Sequence, residues 1–413
     1  MEKDNIDALA KRALAERIEL HRLQQLISVP DENLVTQLRR RVLEMRLGTS
    51  LSSLEKNPLD FNHLVGRNVE NPVGSVAVPV GVVGPIPLSG SVAQGDVYLP
   101  LATTEGALVA STNRGAKAVR ESGRIQAIVL RDAMTRAPAF RTEAAMDAAR
   151  LEAWVENNLP AMQKEAAKTT RHGKLIGAKC YIVGNIAYVR LSFTTGDAMG
   201  MNMATIASEK ISELIEKETG AELVALSGNL CSDKKPAMIN SLLGRGKSVI
   251  AETLIREASV RDTLKTTAQR IVRVNSIKNQ TGSALAGSNS QNAHFANILA
   301  ASFIATGQDV AQIVESSQGF TIAEERRGDL YFSVTLPSLE VGATGGGTGL
   351  PTQSELINLT GAGLAPEGSR AKWLAEVIAA GVLCGELSLL SAIAANQLAG
   401  SHARLGRAGK VRG

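Results

Sequence analysis

Along the first 27 residues, apolar positions recur at close to a helical period. Ile6, Leu9, Leu14, Ile18, Leu20, Leu23, Leu26 and Ile27 fall near every 3.6 residues, which predicts one amphipathic helix ended by Pro30. A second helix is predicted over about residues 32–47, and such exposed helices suit packing against a neighbouring subunit. From Glu70 the pattern changes to Val-, Gly- and Pro-rich runs as far as Pro87, which read as strands and tight turns. Residues 98–104 read as a further strand running into a helix that opens near Glu105, with Thr104 as its N-cap. Residues 151–167 are helical in pattern. Residues 179–183 and 186–193 flank Gly184-Asn185, the signature of a two-residue hairpin. A helix from after Met203 to about Thr219 and a strand at 222–226 complete a small α+β module over residues 138–226. It is inserted into a larger domain made of 69–137 and 227–413, behind a helical N-terminal region, 1–68. A long Ala/Leu helix is predicted from about Ser369 to Leu398, and no fixed-period repeat is visible.

One segment needs a separate argument. Between Lys278 and Asp309 there is no Asp, Glu, Lys or Arg, which superficially suggests a membrane span. It holds Asn279, Gln280, Ser288, Asn289, Gln291, Asn292 and His294, which hydrocarbon would penalise. A helix buried in protein and lined with ligand-facing polar groups fits better. The 413 residues predict two or three domains, and 44% apolar with 21% charged residues is a soluble globular profile. With aromatics at 3%, the core must be built from Ala, Leu, Val and Ile, which favours closely packed helices. The net charge of +5 is spread out except at the C-terminus, which suits small polyanions such as nucleotide cofactors rather than nucleic acid. Cys180, Cys231 and Cys384 have no zinc-ligand or disulfide spacing, and Cys231 reads as a compact buried filler. The charged start Met1-Glu2-Lys3-Asp4 lacks an apolar signal region, so a cytoplasmic location and no membrane partner are expected.

Four separated motifs carry the chemistry: Thr103-Thr104-Glu105-Gly106, Asp233-Lys234-Lys235-Pro236, Gly307-Gln308-Asp309 and Ser401-His402. They supply a cation, two carboxylic acids and an imidazole, the groups needed to reduce a thioester. Taken singly, Lys234 reads first as a surface-loop residue and Glu105 first as a first-turn Glu facing the helix dipole. Asp309, after the long uncharged run, is expected to face a polar site. His402 opens a basic tail with Arg404, Arg407, Lys410 and Arg412. Asp197-Ala198-Met199-Gly200-Met201-Asn202-Met203 lies between a strand and a helix, which suits pyrophosphate at a helix N-terminus, although its methionines also read as core filling. An ordinary Rossmann domain is disfavoured, since no strand-coupled GxGxxG occurs. Gly246-Lys247-Ser248 only mimics a phosphate loop, because Ser241 stands where the first Gly belongs. The Gly-rich run 342–349 permits close backbone approach to a cofactor, or is a linker.

In this order the motifs resemble the 3-hydroxy-3-methylglutaryl-CoA reductase family, eukaryotic and archaeal branch, over residues 66–407. The resemblance implies an α+β fold with a helical N-terminal region, a large domain around a central buried helix (the one ending at Asp309) and an inserted ferredoxin-like small domain. It implies four-electron reduction of the thioester to mevalonate and CoA by two NAD(P)H, with no metal. Lys234 then stabilises oxyanions, Glu105 protonates, Asp309 tunes both, and His402 protonates the leaving thiolate. Cofactor contacts fall on Asp197, Met199, Gly200, Met201, Asn202, Met203, Gly345 and Gly346. Arg171, Lys174 and Arg407 would meet a 2′-phosphate, favouring NADPH over NADH. Substrate contacts carry over onto Arg136, Ser227, Asn229, Lys235, Lys278 and Asn297, with Arg136 and the two lysines on the carboxylate arm. Asn113, Arg114 and the 70–87 region look like the CoA side, and His294 a structural hydrogen-bonder. Gly406-Arg407 stands where the family has Asn-Arg, and Ala408 where animal and plant members carry a phosphorylatable Ser. Active sites shared between two subunits imply a homodimer or homotetramer, and the missing membrane anchor implies a free-standing prokaryotic form. Two other classes remain: a CoA- or nucleotide-binding transferase without redox chemistry, and a non-catalytic binding protein, which predicts decay of one of the four chemical residues.

Overall fold

The structure, a computed structural model, describes residues 3–27, 32–52, 64, 67–69 and 76–395. Its frame is set by one long strand, β3 (Ile125–Arg136), that belongs to two sheets. Ahead of it, β1 (Val80–Gly90) and β2 (Gln94–Ala102) form an antiparallel pair. A helix between β2 and β3 lets β3 return parallel to β1, with Leu88 opposite Ile125. The other edge of β3 pairs antiparallel with β8 (Gly246–Ile255), which continues through β10 (Asp329–Leu339) to β9 (Phe320–Arg326). The last three residues of β3 pair instead with β6 (Ile186–Thr194). Around β6 lie its hairpin partner β5 (Lys174–Val183) on one side and β4 (Ala139–Arg141), then β7 (Glu222–Ala225), on the other.

Among the longer helices are α1 (Lys3–Ala15), α2 (Glu32–Leu47), α3 (Leu108–Ser122), α4 (Ala145–Asn157), α5 (Leu159–Ala167), α6 (Met201–Thr219), α7 (Phe295–Thr306) and α8 (Arg370–Ala394). The main hydrophobic core gathers α3, α7 and α8 against the large sheet. A second core draws on residues 134–221, where α4, α5 and α6 cover the small sheet. Small side chains let α3 and α8 touch along their backbones: a Cβ on Gly115 would lie 1.9 Å from the Cys384 carbonyl oxygen. Helix α8 is long and apolar enough to cross a membrane, yet 78% of its apolar window is buried inside the protein. Its two glutamates are buried as well. Glu376 accepts the backbone N–H groups of Ser91, Val92 and Ala93. Glu386 accepts from Asn279 Nδ2, Thr321 Oγ1 and the N–H groups of Ala293 and His294, anchoring the start of α7.

Several expected elements differ in detail. The predicted N-terminal helix is broken: α1 stops at Ala15, Arg17 turns left-handed at φ 53°, and a 3-10 segment Leu20–Leu26 follows. Ile18 N–H bonds to Ala13 O and Arg17 N–H to Leu14 O, a Schellman closure, and Ile18 packs into the cluster with Ala10 and Ala13. The apolar period survives because Ile18 still lands on the buried face. Residues 151–167 split into α4 and α5 because Pro160 occupies the first turn of α5 and has no N–H to continue α4. Helix α3 begins at Leu108 and not at Glu105, with Ala107 (φ 75°) at its N-cap. Thr103 Oγ1, and not Thr104, accepts the Glu105 N–H at 3.0 Å, so Glu105 sits in a turn ahead of the helix. The longest central helix is α8, while α7, which ends at Thr306 just before Gly307-Gln308-Asp309, is a shorter buried neighbour.

Candidate active site

The loop from β7 to the short helix Ile239–Leu243 carries Lys234, and its backbone is unusual. Asn229 (φ 63°), Ser232 (φ 59°) and Lys234 (φ 57°) all lie in the left-handed region, which costs a non-glycine residue about 1–2 kcal/mol each. Local and distant bonds hold the conformation. Ser232 N–H reaches Asn229 O at 2.9 Å, Ser232 Oγ donates to Asn240 Oδ1, and Lys234 N–H donates to Glu315 Oε1 at 2.7 Å. The side chain of Lys234 is thereby presented to Asp309, with Nζ 3.1 Å from Oδ2. Asp309 is fixed in turn, since its Oδ1 caps the Val310–Gln312 turn through Ala311 N–H at 3.1 Å.

Beside Lys234, Asp233 joins two arginines. Its Oδ2 lies 3.2 Å from Arg136 Nη1 and its Oδ1 3.1 Å from Arg245 Nη2. Gln312 Nε2 donates to the same Oδ1 at 3.0 Å. Burial would raise the Asp233 carboxyl, but the Gln312 amide and the two guanidinium groups hold it below its ordinary value. Arg136, the last residue of β3, also donates to Ser227 Oγ at 3.3 Å and to Thr205 Oγ1 at 2.9 Å. The fold therefore gathers Arg136, Ser227 and the Asp233-Lys234 pair. Cys231 is buried behind them, with Sγ 3.3 Å from Ser227 Oγ.

Glu105 meets a different partner. Asn297 Nδ2, on α7, donates to both of its oxygens at 2.9 and 3.2 Å. The two line a cavity of about 490 Å³ with Thr103, Thr104, Ala300 and Ile304. Glu105 and Lys234 are both exposed in the single chain. Lys235 and Lys278 are exposed too, Lys278 on the π-helical turn Asn275–Gly282. Asn113 and Arg114 make internal bonds: Asn113 holds Val82 O and Gly84 N–H of β1, and Arg114 donates to Ser388 Oγ and O on α8.

The 197–203 motif does two jobs. Both carboxylate oxygens of Asp197 accept backbone N–H groups at the start of α8, from Gly368 at 2.7 Å and Ala371 at 3.1 Å. Its carbonyl oxygen takes Ala343 N–H at 2.7 Å, so the Gly-rich run lies against this motif and is no free linker. A Cβ on Gly342 would come within 2.4 Å of Met199 N, which explains the glycine there. Gln308 clamps the same residue through Gly342 N–H at 2.9 Å and Gly342 O at 3.0 Å. Met199 and Met201 pack on the small core, as a filling role requires. The rest of the motif is an open helix terminus: Gly200 caps α6, and its first N–H groups have no partner within the helix. Arg171 is exposed on the turn before β5 and Lys174 is exposed at the first position of that strand, with Gly173 between them against the Met203 side chain. Gly345 and Gly346 border open space. An open helix N-terminus, with two exposed cations on the segment that meets Met203, fits a nucleotide phosphate. The expectations for His402 and Arg407 fall outside the described residues.

The sequence reading missed the group beneath this surface. Arg245 is fully buried, with Glu315 Oε1 2.7 Å from Nη1, and Glu340 Oε1 also against Nη1. Burial pushes the Glu340 carboxyl well above its ordinary value despite the guanidinium, and Glu315 is raised for the same reason. The one signal in the sequence was a charge between two glycines, Gly244-Arg245-Gly246, opening an apolar strand.

The sequence matches the hydroxymethylglutaryl-coenzyme A reductase family over residues 35–407. It is 55% identical to the 3-hydroxy-3-methylglutaryl-coenzyme A reductase of Aeropyrum pernix, covering 98% of this chain and 96% of that one. The Pyrococcus abyssi enzyme of the same name is 51% identical, with 98% and 100% covered. In fold, the chain resembles the class II reductase of Streptococcus pneumoniae solved bound to NADPH, with a TM-score of 0.68 at 20% identity over 93% of this chain and 98% of that one. With the match spanning every described motif, the chain belongs to the hydroxymethylglutaryl-coenzyme A reductase family.

Proposed function

We propose that this enzyme reduces 3-hydroxy-3-methylglutaryl-CoA to mevalonate and CoA in the cytoplasm, using Lys234, Glu105, Asp309 and His402. The observation that carries the assignment is the Lys234 Nζ–Asp309 Oδ2 pair at 3.1 Å, on a loop held in a left-handed backbone. NADPH, when bound, supplies the hydride. Lys234 Nζ stabilises the negative oxygen formed on the thioester carbon and again on the aldehyde, in the manner of an oxyanion site. Asp309 keeps the ammonium aimed. Glu105, oriented by Asn297, delivers a proton to the aldehyde oxygen, and the His402 imidazole protonates the departing CoA thiolate. Arg136, Lys235 and Lys278 hold the substrate carboxylate, with Ser227 and Asn229 beside them.

The module 138–226 holds the nucleotide: the α6 terminus takes the pyrophosphate, and Arg171, Lys174 and Arg407 the 2′-phosphate, which favours NADPH. The domain of 69–137 and 227–413 takes the CoA ester, along the face bearing Asn113 and Arg114. A second subunit covers the open cavity at Glu105, so the working form is a homodimer or homotetramer. The test is steady-state NADPH oxidation with this thioester. Lys234→Ala should cut kcat by about a thousandfold while the variant stays folded, as loss of an oxyanion donor does. Near-normal turnover would sink the mechanism, and no NADPH oxidation by the unaltered enzyme would favour a transferase.

A further inference from the structure

Arg245 touches three of the segments gathered at the site: the Asp233-Lys234 loop, the 197–203 motif and the stretch that follows Asp309. Its Nη2 reaches Asp233 Oδ1 at 3.1 Å, next to Lys234, and Met201 Sδ at 2.8 Å, in the cofactor motif. Its Nη1 reaches Gln312 Oε1 at 3.0 Å and Glu315 Oε1 at 2.7 Å, on the segment that follows Asp309. Glu340, against the same Nη1, lies two residues before the Gly-rich run. Glu315 also accepts the Lys234 N–H that keeps that residue left-handed. With no exposed surface, this guanidinium cannot swing out to water.

We propose that Arg245 is the positioning residue of this enzyme: its buried guanidinium sets the spacing between the Lys234 loop, the Asp309 segment and the 197–203 motif. The proposal rests on the reductase reading above. The physical reason is geometric. A guanidinium is a rigid planar fork with donors in fixed directions, so several acceptors that bind it are placed relative to one another. A lysine ammonium at the same site is a point charge that cannot span them. A buried ionic set is also a poor source of stability compared with apolar packing, so linkage between segments is the function that suits it.

Arg245→Lys separates positioning from charge. The variant should fold, with kcat down about 30- to 100-fold and the KM for NADPH up about fivefold, because small misplacements of reacting groups are expensive. Glu376→Gln is the control, since that carboxylate holds the Ser91–Ala93 turn and none of the motif loops. At a matched loss of melting temperature, its kcat should stay within about twofold of the unaltered enzyme, as expected for independent sites. A second pair covers failure of Arg245→Lys to fold. Glu315→Gln keeps an oxygen for Lys234 N–H and should retain most activity, whereas Glu315→Leu should lose as much as Arg245→Lys. The proposal is overturned if Arg245→Lys keeps more than half of kcat, if the Glu376 control loses activity equally, or if both Glu315 variants behave alike. Turnover of the unaltered enzyme, measured first, tests the reduction itself, and the variants are ratios to it.

Discussion

Carboxylates are buried in two regions of this protein, and the two solve the same electrostatic problem differently. On α8, Glu376 and Glu386 are met mainly by backbone N–H groups, with hydroxyl and amide donors completing the shell. Around Arg245, Asp233, Glu315 and Glu340 share one guanidinium. The dipolar solution ties a carboxylate to the turns it caps and yields local rigidity. The ionic solution ties together segments distant in sequence, at the cost of leaving more acid than base in one interior space. The first holds turns and the second links segments distant in the chain.

That contrast can be broken at its dipolar end first. Glu386→Ala removes the acceptor for four donors and should lower unfolding free energy by about 4 kcal/mol in urea titrations, because buried donors left unpaired are costly. A loss below about 1 kcal/mol would mean that solvent replaces the carboxylate and that the dipolar account is wrong. Asp197 is the exposed-edge version of the same device, an anion at the α8 N-terminus. Asp197→Ala should lose about 1 kcal/mol, with Asp197→Asn recovering part of it, in the same titrations.

The smallest effect is a slope. Burial raises the folded pKa of Glu340, so between the ordinary carboxylate range and that raised value the native carboxyl holds a proton that the unfolded chain has released. Its contribution to stability is complete below the ordinary Glu range and is lost as pH climbs toward the raised value, by at most about 1.4 kcal/mol per pH unit. Glu340→Gln cannot release a proton, so its melting temperature should fall less than that of the unaltered enzyme between mildly acidic and neutral pH. Identical profiles would show that Glu340 is ionised beside Arg245 and that the cluster is a balanced ion pair.

Much of this was open to inspection in the chain. The hairpin at Gly184-Asn185 and the final Ala/Leu helix lie where periodicity and turn residues put them, and α6 ends at Thr219 as expected while opening at Met201, inside the 197–203 motif. Those signals are local, since a hairpin needs φ > 0 at its turn and a buried helix needs small apolar side chains throughout. The motifs were likewise legible as chemistry. Their pairing was not, because Lys234 meets Asp309 and Glu105 meets Asn297 across 192 residues in the latter case. Asp197, read as a cofactor contact, turned out to have its carboxylate committed to α8. Two glutamates inside an apolar helix were a visible warning of buried capping, yet their partners near residues 91 and 293 could not be named.

Residue types and their order were enough to assign the family and the α+β class and to name candidate reacting groups, since those depend on short-range preference and on functional groups that are present wherever the chain places them. Folding alone chose who faces whom: the left-handed turn that aims Lys234, the donors around the two α8 glutamates and the arginine that Asp233, Glu315 and Glu340 share. Such choices arise from desolvation and directional bonding between segments far apart in the chain, where no local pattern carries information about the partner.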